Sequence, residues 1–183
     1  MSDAQLRVAR RPDDLALSRL ARLTLLLAAM PDERQSKPMD VERLAAYDFF
    51  ADNPLLVFPP GTPEHTAVLA AGFDPATLSY HSASQRFSNR RARLQHDLAG
   101  LLARGLIVAR ADGKRVVYDL TDSGRDLAGA FSSVYAQAYR KSAHLVTRTL
   151  NRLGPKQLRE STERMLNSEA FLVDLELPHG GRA

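Results

Sequence analysis

The chain has no cysteine among its 183 residues, which excludes a disulfide framework and any thiolate metal site. Its five histidines, His65, His81, His96, His144 and His179, never fall at ligand spacing, so no structural zinc is expected. Long apolar runs are also missing. The most apolar stretch, residues 15–30, carries Arg19 and Arg22 and is shorter than the roughly 20 residues a membrane-spanning helix needs. It reads as a core helix. The first 14 residues have charges at Arg7, Arg10 and Arg11 with no apolar core behind them, unlike a secretion signal, and the expected location is the cytoplasm. No nucleophile, phosphate-loop or metal pattern appears. Asp48, Asp52, Glu64 and His65 lie near one another in sequence but match no catalytic constellation, so no enzyme, cofactor or metal is expected.

What is present is a core-forming composition, 44% hydrophobic, with a formal charge of +4 that is unevenly spread. Between residues 81 and 118 the basic residues are Arg86, Arg90, Arg91, Arg93, Arg104, Arg110, Lys114 and Arg115, opposed by Asp97 and Asp112 alone. Arg140, Lys141, Arg148, Arg152, Lys156 and Arg159 extend the bias, and residues 160–176 turn acidic. A one-signed middle implies an anionic partner for that part of the chain.

Periodicity predicts a helix over 18–30, capped by Ser18 and stopped by Pro31, and a second over 41–50 capped by Asp40. From 53 to 80, five prolines and two glycines forbid a long regular element. The apolar content of this stretch instead predicts a loop packed onto the domain. A third helix over 88–104 puts Leu94, Leu98, Leu101 and Leu102 on one stripe and closes on Gly105. Strands over 106–110 and 115–120 follow, joined through Asp112-Gly113. Helix, glycine stop, strand, tight turn and strand is the order of a winged helix with the hairpin as its wing.

A long helix over 123–153 is predicted next, with Leu127, Phe131, Val134, Tyr135, Ala138, Leu145 and Val146 along one side, then a final helix over 155–167. At about 45 Å the long helix outreaches a small winged core, so Phe131, Val134, Tyr135, Ala138, Leu145 and Val146 are assembly candidates and a homodimer is expected. The apolar and acidic stretch 171–177 reads equally as a partner-docking strand or as a return onto the long helix. The division is thus an arm (1–17), a winged-helix domain (18–122) with the proline-rich loop, an assembly region (123–167) and a tail (168–183). The fold class is mainly α.

The DNA-contact candidates are Arg86, Asn89, Arg90, Arg91, Arg93 and His96 on the recognition helix, with Arg110, Lys114 and Arg115 at the wing. With Leu94 inward, Asn89, Arg93 and His96 point out, while Arg90 and Arg91 fall towards the core edge, which makes Asn89 and Arg93 the better base-reading candidates. The plain alternatives are a solvated basic face and a hairpin tip that is basic for solubility. Small residues further along, Ala92, Ala99, Gly100 and Ala103, suit the close approach of a protein backbone.

Several stretches together resemble the middle component of bacterial ABC-three-component systems: the leucine-rich first helix, Val41-Glu42-Arg43-Leu44-Ala45-Ala46-Tyr47-Asp48-Phe49-Phe50, the run from Arg91 to Ile107, and Val116-Val117-Tyr118. The resemblance spans roughly residues 16–166. It implies an SMC-like or Rad50-like ABC ATPase and a variable effector as partners, acting against invading DNA, and it transfers no catalytic residue. The hairpin followed by Leu120-Thr121-Asp122-Ser123-Gly124 also looks like MarR-type regulators, which implies as an alternative a homodimeric DNA-binding regulator with a small-molecule pocket near the 53–80 loop.

Overall fold

The computed structural model describes residues 15–30, 38–74 and 82–175, the last seven as backbone. Of the expected features, the arm 1–14, Pro31, His81, His179 and the end of the tail lie outside them. Among the described residues seven α-helices and one hairpin follow in the order α1 (Ala16–Ala28), α2 (Val41–Asp52), α3 (Pro63–Ala70), α4 (Ala83–Ala103), β1 (Ile107–Asp112), β2 (Arg115–Leu120), α5 (Asp122–Ala130), α6 (Val134–Leu150) and α7 (Pro155–Leu175). Among the described residues no helix is long and apolar enough to cross a membrane.

Helices α1 and α2 form the centre. Leu23, Leu25, Leu26, Leu44, Tyr47, Phe49 and Phe50 are almost wholly buried, because α4 packs on this pair from one side and α6 from another. Helix α1 begins earlier than expected: Leu15, not Ser18, occupies its N-cap, with no side-chain cap. Asp40 caps α2 as expected, accepting from the Arg43 backbone N–H at 3.0 Å. The proline-rich stretch is more regular than expected. A 3-10 turn at Pro54–Leu56 is followed by α3, where Thr62 caps and Pro63 takes the first turn, a position that tolerates its missing N–H. Phe58 and Val68 are buried, so this stretch does pack onto the core.

Helix α4 starts at Ala83 rather than at 88, since the Ser82 hydroxyl accepts from the Gln85 N–H and supplies the cap. The helix ends at Gly105, whose φ of 65° is the left-handed conformation that closes a helix at low cost in glycine. The hairpin is antiparallel, with Ile107 opposite Leu120 and Asp112 opposite Arg115. Its two-residue turn is therefore Gly113-Lys114, one position later than the expected Asp112-Gly113, and Gly113 takes the positive φ that such turns require. Strand β2 has a second neighbour. Asp40 bridges to Val117, and the Tyr118 N–H donates to the Met39 carbonyl at 3.2 Å, so the chain entering α2 runs beside the hairpin.

The single helix expected over 123–153 is broken. Phe131 is extended (φ −71°, ψ 115°), Ser133 caps α6 by accepting from the Ala136 N–H, and Arg140 donates to the carbonyls of Ala128 and Phe131, satisfying the exposed end of α5. Two local caps and a guanidinium that fits the gap outweigh the apolar periodicity that continues through it. Helix α5 is held against the hairpin: the Thr121 N–H donates to the Leu106 carbonyl, and a Cβ on Gly124 would stand 2.1 Å from that oxygen. Only glycine permits this approach. Residues 171–175 continue α7 as helix, which corrects the docking-strand expectation.

The break also removes the overhanging apolar side. Val146 is fully buried within its own chain, Phe131, Ala138 and Leu145 are half-buried, and of the assembly candidates only Val134 (82%) and Tyr135 (53%) stand well exposed. The buried face of α6 is instead Ala136, Tyr139, Ala143, Val146 and Leu150.

Candidate nucleic-acid and partner interface

Helix α4 sorts its basic residues into two groups, because its first half lies against α2. Arg90 is directed inward: it donates to Asp52 Oδ2 at 2.7 Å and to the Asp48 carbonyl at 3.1 Å, and its guanidinium lies 5.6 Å from the centre of the Phe49 ring. Arg86 donates to Asn53 Oδ1 at 2.5 Å and stacks on the same ring. Both were expected at a DNA interface and are instead interhelical ties. The outer face carries Ser88, Asn89, Arg91, Ala92, Arg93, Gln95, His96 and Ala99 in solvent, so the outward placement of Asn89, Arg93 and His96 holds. Arg91 is exposed rather than at the core edge and pairs with Glu42 at 2.5 Å. Gly100 is turned towards α1, where an added Cβ would meet Leu20 at 3.5 Å, and does not belong to the small outer face.

At the hairpin, Arg110 pairs with Asp119 at 2.6 Å and Arg115 with Asp40 at 3.1 Å, so their charges are locally balanced. Lys114 occupies the exposed turn. Arg91 and Arg115 also line a cleft of about 640 Å³ between the start of α2, α4, β2 and α7. Its floor is Ala46, Phe87, Leu158 and Leu166, and its rim mixes Arg115 and Arg159 with Glu42 and Glu163. No described residue of the 53–80 stretch lines it.

The sequence reading missed a polar network buried where α1, α2, α4 and α6 meet. Arg22 donates to both oxygens of Asp48, at 2.8 and 3.4 Å. The Tyr139 hydroxyl donates to Asp48 at 3.2 Å, and Tyr135 donates to Asp52 at 3.1 Å. Arg19 holds Asp97 through two bonds, at 2.8 and 2.9 Å, and ties α1 to α4. Burial by itself would raise the Asp48 carboxyl, but the Arg22 and Arg90 charges, with the bonds from Arg22 and Tyr139, outweigh it and hold the group below its ordinary range. Tyr139 is pushed well above its ordinary value by burial and by the Asp48 charge beside it. A sequence signal existed: Arg19, Arg22 and Asp48 interrupt otherwise apolar helices, and such charges are retained in a core only when paired.

These shifts predict a stability plateau with two edges. Asp48, depressed in the folded chain, adds stability that is complete above the unfolded carboxylate value near 4 and is lost as the pH falls below it. Tyr139, raised in the folded chain, adds stability that is complete below the unfolded value of about 10 and is lost as the pH rises further. The urea midpoint should be flat between about pH 5 and 9 and fall on both sides, with Tyr139→Phe weakening the alkaline fall. A midpoint unchanged down to about pH 2 would contradict the charge assignment at Asp48.

The family model for the ABC-three component (ABC-3C) system Middle Component 2 matches residues 65–170, from within α3 into α7. The chain belongs to this family. No curated protein and no solved structure matches the chain. The matched stretch of this Middle Component 2 protein holds the whole outer face of α4, the hairpin, α5 and α6, whereas the stretches of α1 and α2 that carried part of the sequence resemblance lie before it. Membership associates the chain with the other components of such a system.

Proposed function

We propose that the chain is a non-enzymatic winged-helix adaptor of an ABC-three-component anti-invader system in the bacterial cytoplasm, engaging duplex DNA through α4 and the hairpin and joining the ABC ATPase and its effector. The observation that carries this reading is the packing order. The chain passes from α1 through the edge pair Met39–Asp40 beside β2, into α2, then α4 packed on α2, then the β1–β2 hairpin. In a winged helix α2 and α4 would be the two crossed helices, α4 the recognition helix and the hairpin the wing, with the 53–82 stretch, including α3, as an insertion between them. Asn89, Arg93 and His96 stand on the outer side of α4 and Lys114 on the turn, where phosphates and base edges would be met.

A non-enzymatic role is favoured because the buried carboxylates Asp48 and Asp97 and the half-buried Asp52 are bound to guanidinium groups rather than poised in an open site. The MarR-like homodimeric regulator loses two supports: the long dimer helix is two helices whose apolar side is mostly buried or half-buried within the chain, with Val134 and Tyr135 exposed, and the cleft takes no lining from the described residues of the 53–80 stretch.

DNA engagement is tested by titrating a labelled duplex across a salt series. Each lost phosphate contact lowers the slope of log affinity against log salt by about one, so Arg93→Ala with Lys114→Ala should weaken binding and flatten the slope by about two. An unchanged slope in the doubly substituted chain would remove α4 and the hairpin from the interface.

A further inference from the structure

Helix α6 carries Arg140, Lys141 and Arg148 and not one aspartate or glutamate over its 17 residues. Arg140 is used to close the end of α5. The other two, with Gln137 and His144, lie on one exposed stripe directly opposite the buried face of Tyr139, Ala143, Val146 and Leu150. From Lys141 to Arg148 the stripe runs about 10 Å along the helix axis, and Arg152, also exposed, continues it past the C-terminus.

We propose that this stripe is a second, sequence-independent surface for the phosphate backbone of duplex DNA. Charge complementarity calls for a polyanion, since nothing on the helix offsets its cations. A protein partner would be anchored by aromatic or aliphatic side chains near the centre of the contact. The large exposed apolar residues of α6, Val134 and Tyr135, sit in its first turn; Val134 stands one heptad before Lys141, at the end of the stripe, and no large exposed apolar residue lies between Lys141 and Arg148. Cations that meet phosphates position a duplex but carry no sequence information.

Placement gives the surface its use. Helices α4 and α6 each pack on the α1–α2 pair, and each keeps its exposed face off the residues it buries there. One duplex on α4 and the hairpin and another on α6 would therefore be held together by a single chain. The α6 surface stands on its own observations, whereas this bridging rests on the α4 reading.

The test uses the full chain, an immobilised duplex, a second labelled duplex of unrelated sequence, and a stoichiometric titration. Lys141→Ala with Arg148→Ala changes only exposed positions, and an unaltered melting temperature certifies the fold. The expected result is loss of co-capture of the second duplex and a fall from two duplexes per chain to one. Arg93→Ala with Lys114→Ala should also lose co-capture while leaving binding through α6. If the α6 pair removes all DNA binding and the α4 pair none, the α6 surface is upheld and the α4 reading fails. Co-capture and stoichiometry unchanged in the α6 pair would overturn the proposal, and would also rule out α6 when bridging comes from a dimer that uses two α4 faces. Retention on polyglutamate through Lys141 and Arg148, with no DNA bound, would overturn it in favour of an acidic protein.

Discussion

Replacing Asp48 by alanine is expected to destabilise the chain by about 3–5 kcal/mol, the range for removing one partner of a buried charge pair. Asp48 is buried and receives Arg22 from α1, Arg90 from α4 and Tyr139 from α6. Its loss leaves the Arg22 guanidinium, itself buried, without its principal counter-charge, and removes the point where α1, α4 and α6 are tied to α2. The cost comes mainly from the stranded cation rather than from the attraction itself. Asp48→Leu combined with Arg22→Met should therefore recover much of the loss, as replacement of buried pairs by apolar groups of similar volume often does. Urea unfolding of the single and double variants measures both numbers. A single-variant loss below about 1 kcal/mol would place the pair in solvent-screened surroundings and contradict the described burial.

Leu98→Ala is expected to cost about 2–5 kcal/mol, because the side chain is 1% exposed in the centre of α4. The residue belongs to the inward stripe Leu94, Leu98 and Leu101, which joins α4 to the core that α1 and α2 share. The surrounding helices are tied by Arg19–Asp97 and the Asp48 network and have little freedom to close on the space left behind. For a domain of this size each kcal/mol lowers the melting temperature by about 2–4 °C, so a scanning calorimetry trace resolves the effect. A shift of under about 2 °C would mean that α4 is packed differently.

The two substitutions act on the same helix for different reasons, and the difference separates what local sequence states from what it does not. Three residues of the Leu98 stripe were legible because a helical period of apolar residues has one packing consequence, whatever it packs against, while Leu102, expected with Leu94, Leu98 and Leu101, lies at the edge of that face and is exposed. So were the Asp40 cap, the Gly105 stop and the hairpin, each decided within a few residues by backbone geometry. The exposed positions of Asn89, Arg93 and His96 followed from the same wheel.

Arg86 and Arg90 were misplaced as DNA contacts because charge alone does not say which way an arginine is used. A long aliphatic stem with a polar head suits either solvent or a buried carboxylate. The acceptors in question, Asp48 and Asp52 for Arg90 and Asn53 for Arg86, lie on α2 or at its C-terminal end, and only the packing of α4 against α2 brings them within reach. The long helix over 123–153 failed for a related reason: apolar periodicity runs through the break, while the Ser133 cap and the Arg140 closure compete with it.

By itself, then, the sequence determined the helix-rich class, the helix–hairpin order, the inward stripe of α4 and the uneven charge, all properties of neighbouring residues and backbone sterics. Only the tertiary structure decided which cations are neutralised and which remain outside, and that α6 buries Tyr139, Ala143, Val146 and Leu150 within its own chain. Those outcomes depend on contacts between residues far apart in the chain, where a carboxylate or a carbonyl from another helix competes with solvent for each guanidinium.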